Sequence, residues 1–250
     1  MTESICSLGR MGIFLGLSVA AMLTPPWRTQ SLIKQIHFIG VRSLSVIILS
    51  GLFVGMVVAL LFQDTLVRFG ATSMAGSAVG LSLIWELGPV LTALMVIGRA
   101  GSAICAEISI MRTEQQIDAL ECMAIDPIRH VIVPRFAAAM ISIPLLTAIF
   151  IVIGIVGGYF ISVVLFGLSE GAYFQGMADT VLMGDLRMCL VKTLVFSLLI
   201  IWISTARGFY LHLVTGAYGS EGVSRVTTMA VVHSSIAVLC ADYLVSAIML

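Results

Sequence analysis

The chain has 250 residues, of which 60% are hydrophobic and only 10% charged, and its 13 basic and 13 acidic side chains leave no net charge. Soluble domains carry about 25% charged residues, so a water-soluble fold is excluded, and the neutral balance excludes a basic nucleic-acid surface. The apolar runs are continuous and do not alternate, which excludes a β-barrel and predicts an all-α polytopic membrane protein.

The first apolar run is Met11–Leu23. Arg10 before it and Ser18-Val19-Ala20 within it give it the outline of a signal-peptide core. Glu3 in the would-be basic region and the Pro25-Pro26-Trp27-Arg28 segment after it favour the other reading. In that reading a helix over about residues 3–23 lies in the membrane interface.

Five spans follow, at about residues 41–66, 78–110, 128–166, 187–206 and 226–249, each about 20 residues or longer. The second and third are too long for one upright crossing. Gly88-Pro89 is expected to break the second and Pro144 to kink the third, with neighbouring helices satisfying the freed carbonyls. Small residues recur four apart at Gly12/Gly16, Gly51/Gly55, Gly76/Gly80 and Gly154/Gly158, spacing that lets helices approach closely in lipid. The Gly51/Gly55 pair is expected to make such contacts near a dimer axis.

Between the second and third spans lies Arg112–Pro134, the densest run of charge in the chain. Over residues 112–123 a helix is expected. Glu114, Asp118 and Glu121 recur at i, i+4, i+7, while Ile117, Leu120 and Ala124 mark a second face. A helix with one acidic and one apolar stripe, tied to spans at both ends, is built to touch a partner outside the lipid; a solvated interfacial helix is the bland alternative. Basic residues gather on the same side as this helix: Arg28, Lys34 and Arg42 before span one, Arg112, Arg129 and Arg135 here, and Arg207 and Arg225 between spans four and five. That bias places the N-terminus and this segment in the cytoplasm and the C-terminus outside.

Glu86, Arg99 and Glu107 sit within the second apolar run. Charges at such depth are costly and face a cavity or a partner. At 1.5 Å per residue Glu86 and Glu107 stand about 30 Å apart, one toward each membrane boundary. Arg99 is about 12 Å along the axis from Glu107, so its partner lies elsewhere or it reaches for the interface. A glutamate beside a Gly-Pro pair is where a substrate cavity would open. Leu66 and Phe69 at the end of span one, with Trp85 beside Glu86, are expected to line that pocket, and Lys192 in the fourth span is the candidate counter-charge.

No GxxxxGK[ST] loop, GxSxG or HExxH motif is present, so neither a nucleotide site nor a hydrolase centre is expected. Cys6, Cys105, Cys122, Cys189 and Cys240 are scattered without a CxxC pair, and the four histidines are dispersed, so no metal site or disulfide framework is expected.

The stretch Glu86–Arg135, from ELGP to IVPR, resembles the signature of the MlaE permease family, the membrane subunits of ABC phospholipid transporters associated with MCE proteins. Further similarity runs through Ser50–Met56, Pro144-Leu145-Leu146, Gly222–Arg225, Thr227-Thr228, Val231-Val232 and Asp242-Tyr243, covering Val41 to the C-terminus. The resemblance implies one permease domain in the bacterial inner membrane, with an interfacial N-terminal helix, five spans and a homodimeric assembly. It implies that Arg112, Glu114, Ile117, Asp118, Leu120 and Glu121 form a coupling helix on a separate ABC ATPase that carries the ATP. A periplasmic MCE ring and a small STAS-domain protein are further implied partners, with phospholipid as substrate. Two positions depart from the family: Trp85 and Met229 stand where members often have basic residues. The competing classes are a proton-coupled secondary transporter using Glu86, Arg99 and Glu107, and a non-transporting scaffold for a peripheral protein.

Overall fold

The computed structural model describes residues 2–23, 29–213 and 219–249, and among these every regular element is a helix. The helices are α1 (Thr2–Leu23), α2 (Thr29–Arg68), α3 (Ala75–Thr113), α4 (Gln116–Cys122), α5 (Ile128–Leu165), α6 (Glu170–Thr180), α7 (Met183–Phe209) and α8 (Gly219–Met249). Five of them, α2, α3, α5, α7 and α8, are long and apolar enough to cross a membrane. The Pro25-Pro26-Trp27-Arg28 segment expected to close the first helix lies outside the described residues.

The proline sites do not behave alike. The expected break at Gly88-Pro89 is absorbed inside α3, where the Gly88 N–H reaches back five residues to the Leu83 carbonyl in a widened turn. A second widened turn covers Ile97–Gly101, so both Glu86 and Arg99 sit on π-type bulges, which lift side chains off the regular helical ladder. Pro144 is carried within α5 without interrupting it. In α2 the irregularity is at Gly40, followed by a short 3-10 turn at Val41–Ser43.

The chain forms two compact units. In the first, comprising Met1–Arg42, Val96–Ser142 and Phe196–Ala241, α1 packs on the start of α5. Phe14 is buried, with its ring 5.5 Å from that of Phe209 and 5.8 Å from that of Tyr210, and the Trp202 Nε1–H donates to the Met11 carbonyl at 2.8 Å. The first apolar run is thus an integral packing element of this unit. Ile104, Ile108, Ile132 and Phe136 complete its core.

In the second unit, comprising Ser43–Met95, Ile143–Val195 and Asp242–Leu250, glycine sets the helix spacing. A Cβ on Gly55 would overlap the backbone of Gly154, and one on Gly51 would reach within 3.0 Å of the Phe150 carbonyl. The close contacts expected of the Gly51/Gly55 pair are made inside the protomer, joining α2 to α5. Gly76 likewise gives way to the backbone of Tyr173 in α6, whose buried phenol donates to the Ile155 carbonyl at 3.1 Å. Removal from water pushes that phenol's pKa well above its ordinary value.

Candidate functional site

Pro89 has no N–H, so the Trp85 carbonyl four residues earlier loses its helical donor. In the second unit Lys192 of α7 replaces it: Nζ donates to that carbonyl at 2.8 Å. The same ammonium donates to Glu86 Oε1 at 2.8 Å and lies 2.9 Å from Asp242 Oδ1 of α8. The Asp242 contact is an ion pair off the hydrogen-bond line, and that oxygen has no hydrogen-bond donor. Ser246, one turn further along α8, donates its hydroxyl to Glu86 Oε1 at 3.1 Å. Trp85 has a second attachment to α7, because its indole Nε1–H donates to Asp185 Oδ1 at 2.9 Å.

Exposure decides what this cluster can do. Lys192 is 0% exposed, whereas the Glu86 side chain is 45% and that of Asp242 18% exposed. An ammonium has three donor positions; two donate to the Trp85 carbonyl and Glu86, and Asp242 lies against it as an ion pair. Within the protomer, the lysine expected as a counter-charge is thus enclosed by protein groups. One cation faces two carboxylates, and Glu86 is the more exposed of the two.

The structure brings Trp85, Glu86 and Lys192 together as expected and adds Asp242 and Ser246. Asp242 had a legible signal, an acid within an apolar run of spanning length; Ser246 had none. Leu66 and Phe69 stand at the end of α2, where the Phe69 N–H caps the Leu66 carbonyl at 3.2 Å and the Phe69 ring is 79% exposed.

The remaining intramembrane charges are satisfied separately in the first unit. Arg99 donates to the Phe38 carbonyl at 2.6 Å and lies over the Phe38 ring at 5.2 Å, so its partner does come from another helix. Glu107 pairs with Arg135 at 3.0 Å, and Arg135 also donates to the Val131 carbonyl at 2.6 Å. A groove of about 880 Å³ between α2 and α3 is lined by Phe38, Ala103, Ala106 and Ile110, with Lys34 and Arg42 on the α2 side.

The loop segment is shorter than its charge pattern. Gln115 and Ala124 adopt left-handed backbone, with φ of 58° and 57°, and turn the chain at both ends of α4. Glu114 therefore precedes the helix and Ala124 follows it, so the acidic and apolar stripes extend beyond the element expected to carry them. Ile117, expected to enter a partner's groove, is fully buried within the chain, and Leu120 is half-buried. Packing of so short a helix needs its own apolar anchor, and Ile117 is that anchor. Arg112 pairs with Asp118 at 2.7 Å and lies 5.6 Å from the Phe209 ring centroid. Glu114, Asp118 and Glu121 are exposed.

Among the described residues, no cluster of three or more His, Cys, Asp or Glu side chains is arranged to hold a metal ion.

A profile of the family Permease MlaE matches residues 32–248. The chain is 42% identical to the intermembrane phospholipid transport system permease protein MlaE of Haemophilus influenzae, over 97% of this chain and 92% of that one. It is 39% identical to a probable ABC transporter permease protein of Rickettsia felis over 96% of this chain and 91% of the other. A probable ABC transporter permease protein of Synechocystis is 35% identical, over 87% and 81%.

Proposed function

Since the chain belongs to the MlaE permease family, we propose that it is the membrane-spanning subunit of an ABC transporter moving phospholipid between the inner and outer membranes. ATP is hydrolysed by a separate ATPase subunit, and this chain supplies the path for lipid. The observation that carries the reading is the Lys192 cluster: a buried cation, two carboxylates and a proline-freed carbonyl on three apolar helices. Such polar investment within spans marks a substrate path far more often than a packing device.

In this reading the half-exposed Glu86 meets the headgroup, accepting hydrogen bonds from an amine and repelling phosphate so that lipid is released readily. Leu66 and Phe69 hold acyl chains, each buried CH₂ contributing about 0.8 kcal/mol. Glu86→Gln is expected to weaken binding of phosphatidylethanolamine more than that of phosphatidylglycerol in photocrosslinking of the assembled transporter. Equal effects on both lipids would remove the headgroup role.

The active unit is a homodimer in the bacterial inner membrane, with the N-terminus cytoplasmic and the C-terminus periplasmic. Only 11% of the most apolar stretch of α8 and 22% of that of α2 is buried within one chain, so both keep apolar faces for lipid or for a second copy. An MCE ring on the periplasmic side and a STAS-domain protein on the ATPase complete the assembly.

The turn from Arg112 through Glu121 seats on the ATPase through its exposed carboxylates, with Ile117 holding α4 to the permease. The double reversal Glu114→Lys with Glu121→Lys places like charges against a basic seat, which costs several kcal/mol. Copurification of the ATPase and lipid-stimulated hydrolysis are expected to be lost, while the permease still accumulates in the membrane. Normal copurification and normal lipid transport by the double variant would overturn the coupling assignment.

A further inference from the structure

Trp85 occupies a position where its side chain and its backbone both grip the same helix. The indole N–H donates to Asp185 Oδ1 at 2.9 Å, and the carbonyl accepts from Lys192 Nζ at 2.8 Å. Asp185 and Lys192 are seven residues apart on α7, which is two helical turns and returns to the same face. Asp185 is itself fixed, because its other oxygen, Oδ2, accepts from the Leu182 N–H at 2.7 Å and caps the first turn of α7. One residue of α3 therefore holds α7 at two levels, and the upper and lower holds depend on different atoms.

We infer that Trp85 is a positioning residue, a two-point clamp that sets the register of α7 against α3 and so delivers Lys192 to Glu86 and Asp242. The indole nitrogen is committed to protein, so its contribution to the pathway is the placement of Lys192 and, through it, the exposure of Glu86. Lys192 is fully buried, and its reach to the Trp85 carbonyl depends on where α7 is held. The inference rests on the permease reading only for its consequence in transport; the clamp itself is a property of the second unit.

Chemical labelling reads the clamp independently of transport. The chain has two lysines, Lys34 and Lys192, of which Lys34 is exposed and serves as an internal reference. In the assembled transporter in native membranes, Trp85→Phe keeps an aromatic ring and removes the N–H. Loss of this half-buried hydrogen bond is expected to raise amine-reagent labelling of Lys192, relative to Lys34, by about tenfold. Buried Cys105, in the other unit, reports general loosening and is expected to keep its thiol-reagent labelling unchanged. Asp185→Ala, which removes the acceptor, is expected to raise Lys192 labelling as well, and the double variant no further than the stronger single one, because both cut the same contact. The lipid concentration for half-maximal ATPase stimulation is expected to rise with Lys192 labelling, while KM for ATP stays constant.

Unchanged Lys192 labelling in Trp85→Phe overturns the clamp. Independent, multiplying effects of the two substitutions also overturn it, as does a parallel rise at Cys105. Increased Lys192 labelling in a protein that never moves lipid in any form leaves the clamp standing and removes the permease reading instead.

Discussion

Replacing Lys192 with methionine is expected to cost about 3–5 kcal/mol and to abolish both lipid transport and recovery of intact complex from the membrane. The ammonium is fully buried and serves three oxygens on two other helices: the Trp85 carbonyl, Glu86 and Asp242. Methionine fills similar volume but leaves two carboxylates facing each other without a cation. It also leaves a carbonyl that Pro89 has already deprived of its helical partner. Glu86 is half-exposed and recovers some hydration, so most of the cost falls on Asp242 and the orphaned carbonyl. The diagnostic experiment is compensation. Adding Glu86→Gln and Asp242→Asn to Lys192→Met removes the uncompensated charge and is expected to restore heat-resistant complex in fluorescence-detected size exclusion, but not lipid transport. A fully active Lys192→Met protein would show that the cluster is neither structural nor on the lipid path.

Gly55→Ala is expected to destabilise the protein by about 3 kcal/mol or more, since one added methyl meets backbone that cannot rotate away. The new carbon would overlap the Gly154 backbone of α5, and neither helix can yield without moving its own packing. Gly12→Ala is the matched control, because a Cβ there meets nothing within 4 Å and alanine favours the helix by up to about 1 kcal/mol. Thermal survival of the extracted protein measures both. If Gly55→Ala yields a stable protein that has only lost self-association, the glycine pair belongs to an interface between copies, and its assignment to the α2–α5 contact fails.

Much of the architecture was readable from hydropathy, because lipid demands continuous apolar helices and tolerates charge only with a reason. The five long runs appear as α2, α3, α5, α7 and α8; α5 matches its run, and the other four extend past theirs because backbone hydrogen bonding continues into polar flanks. The polar inventory was legible in part. Glu86 and Lys192 lie 106 residues apart, yet charge within spans picked them out, and Trp85 was named for its place beside Glu86. Asp242 carried the same signal without being singled out, and Ser246 carried none, since a serine in a membrane helix is ordinary.

What the sequence determined by itself was composition-driven: a helical chain of spanning segments, a proline that must strip one carbonyl of its donor, and a few charges too costly to be idle. Only the tertiary structure decided who answers them. It assigned the Trp85 carbonyl to Lys192. It turned Ile117 inward and spent Gly51 and Gly55 within the protomer. The physical reason is that helical periodicity specifies which residues share a face, whereas the identity of the facing helix depends on contacts closed across a hundred residues or more. Those contacts carry no local pattern.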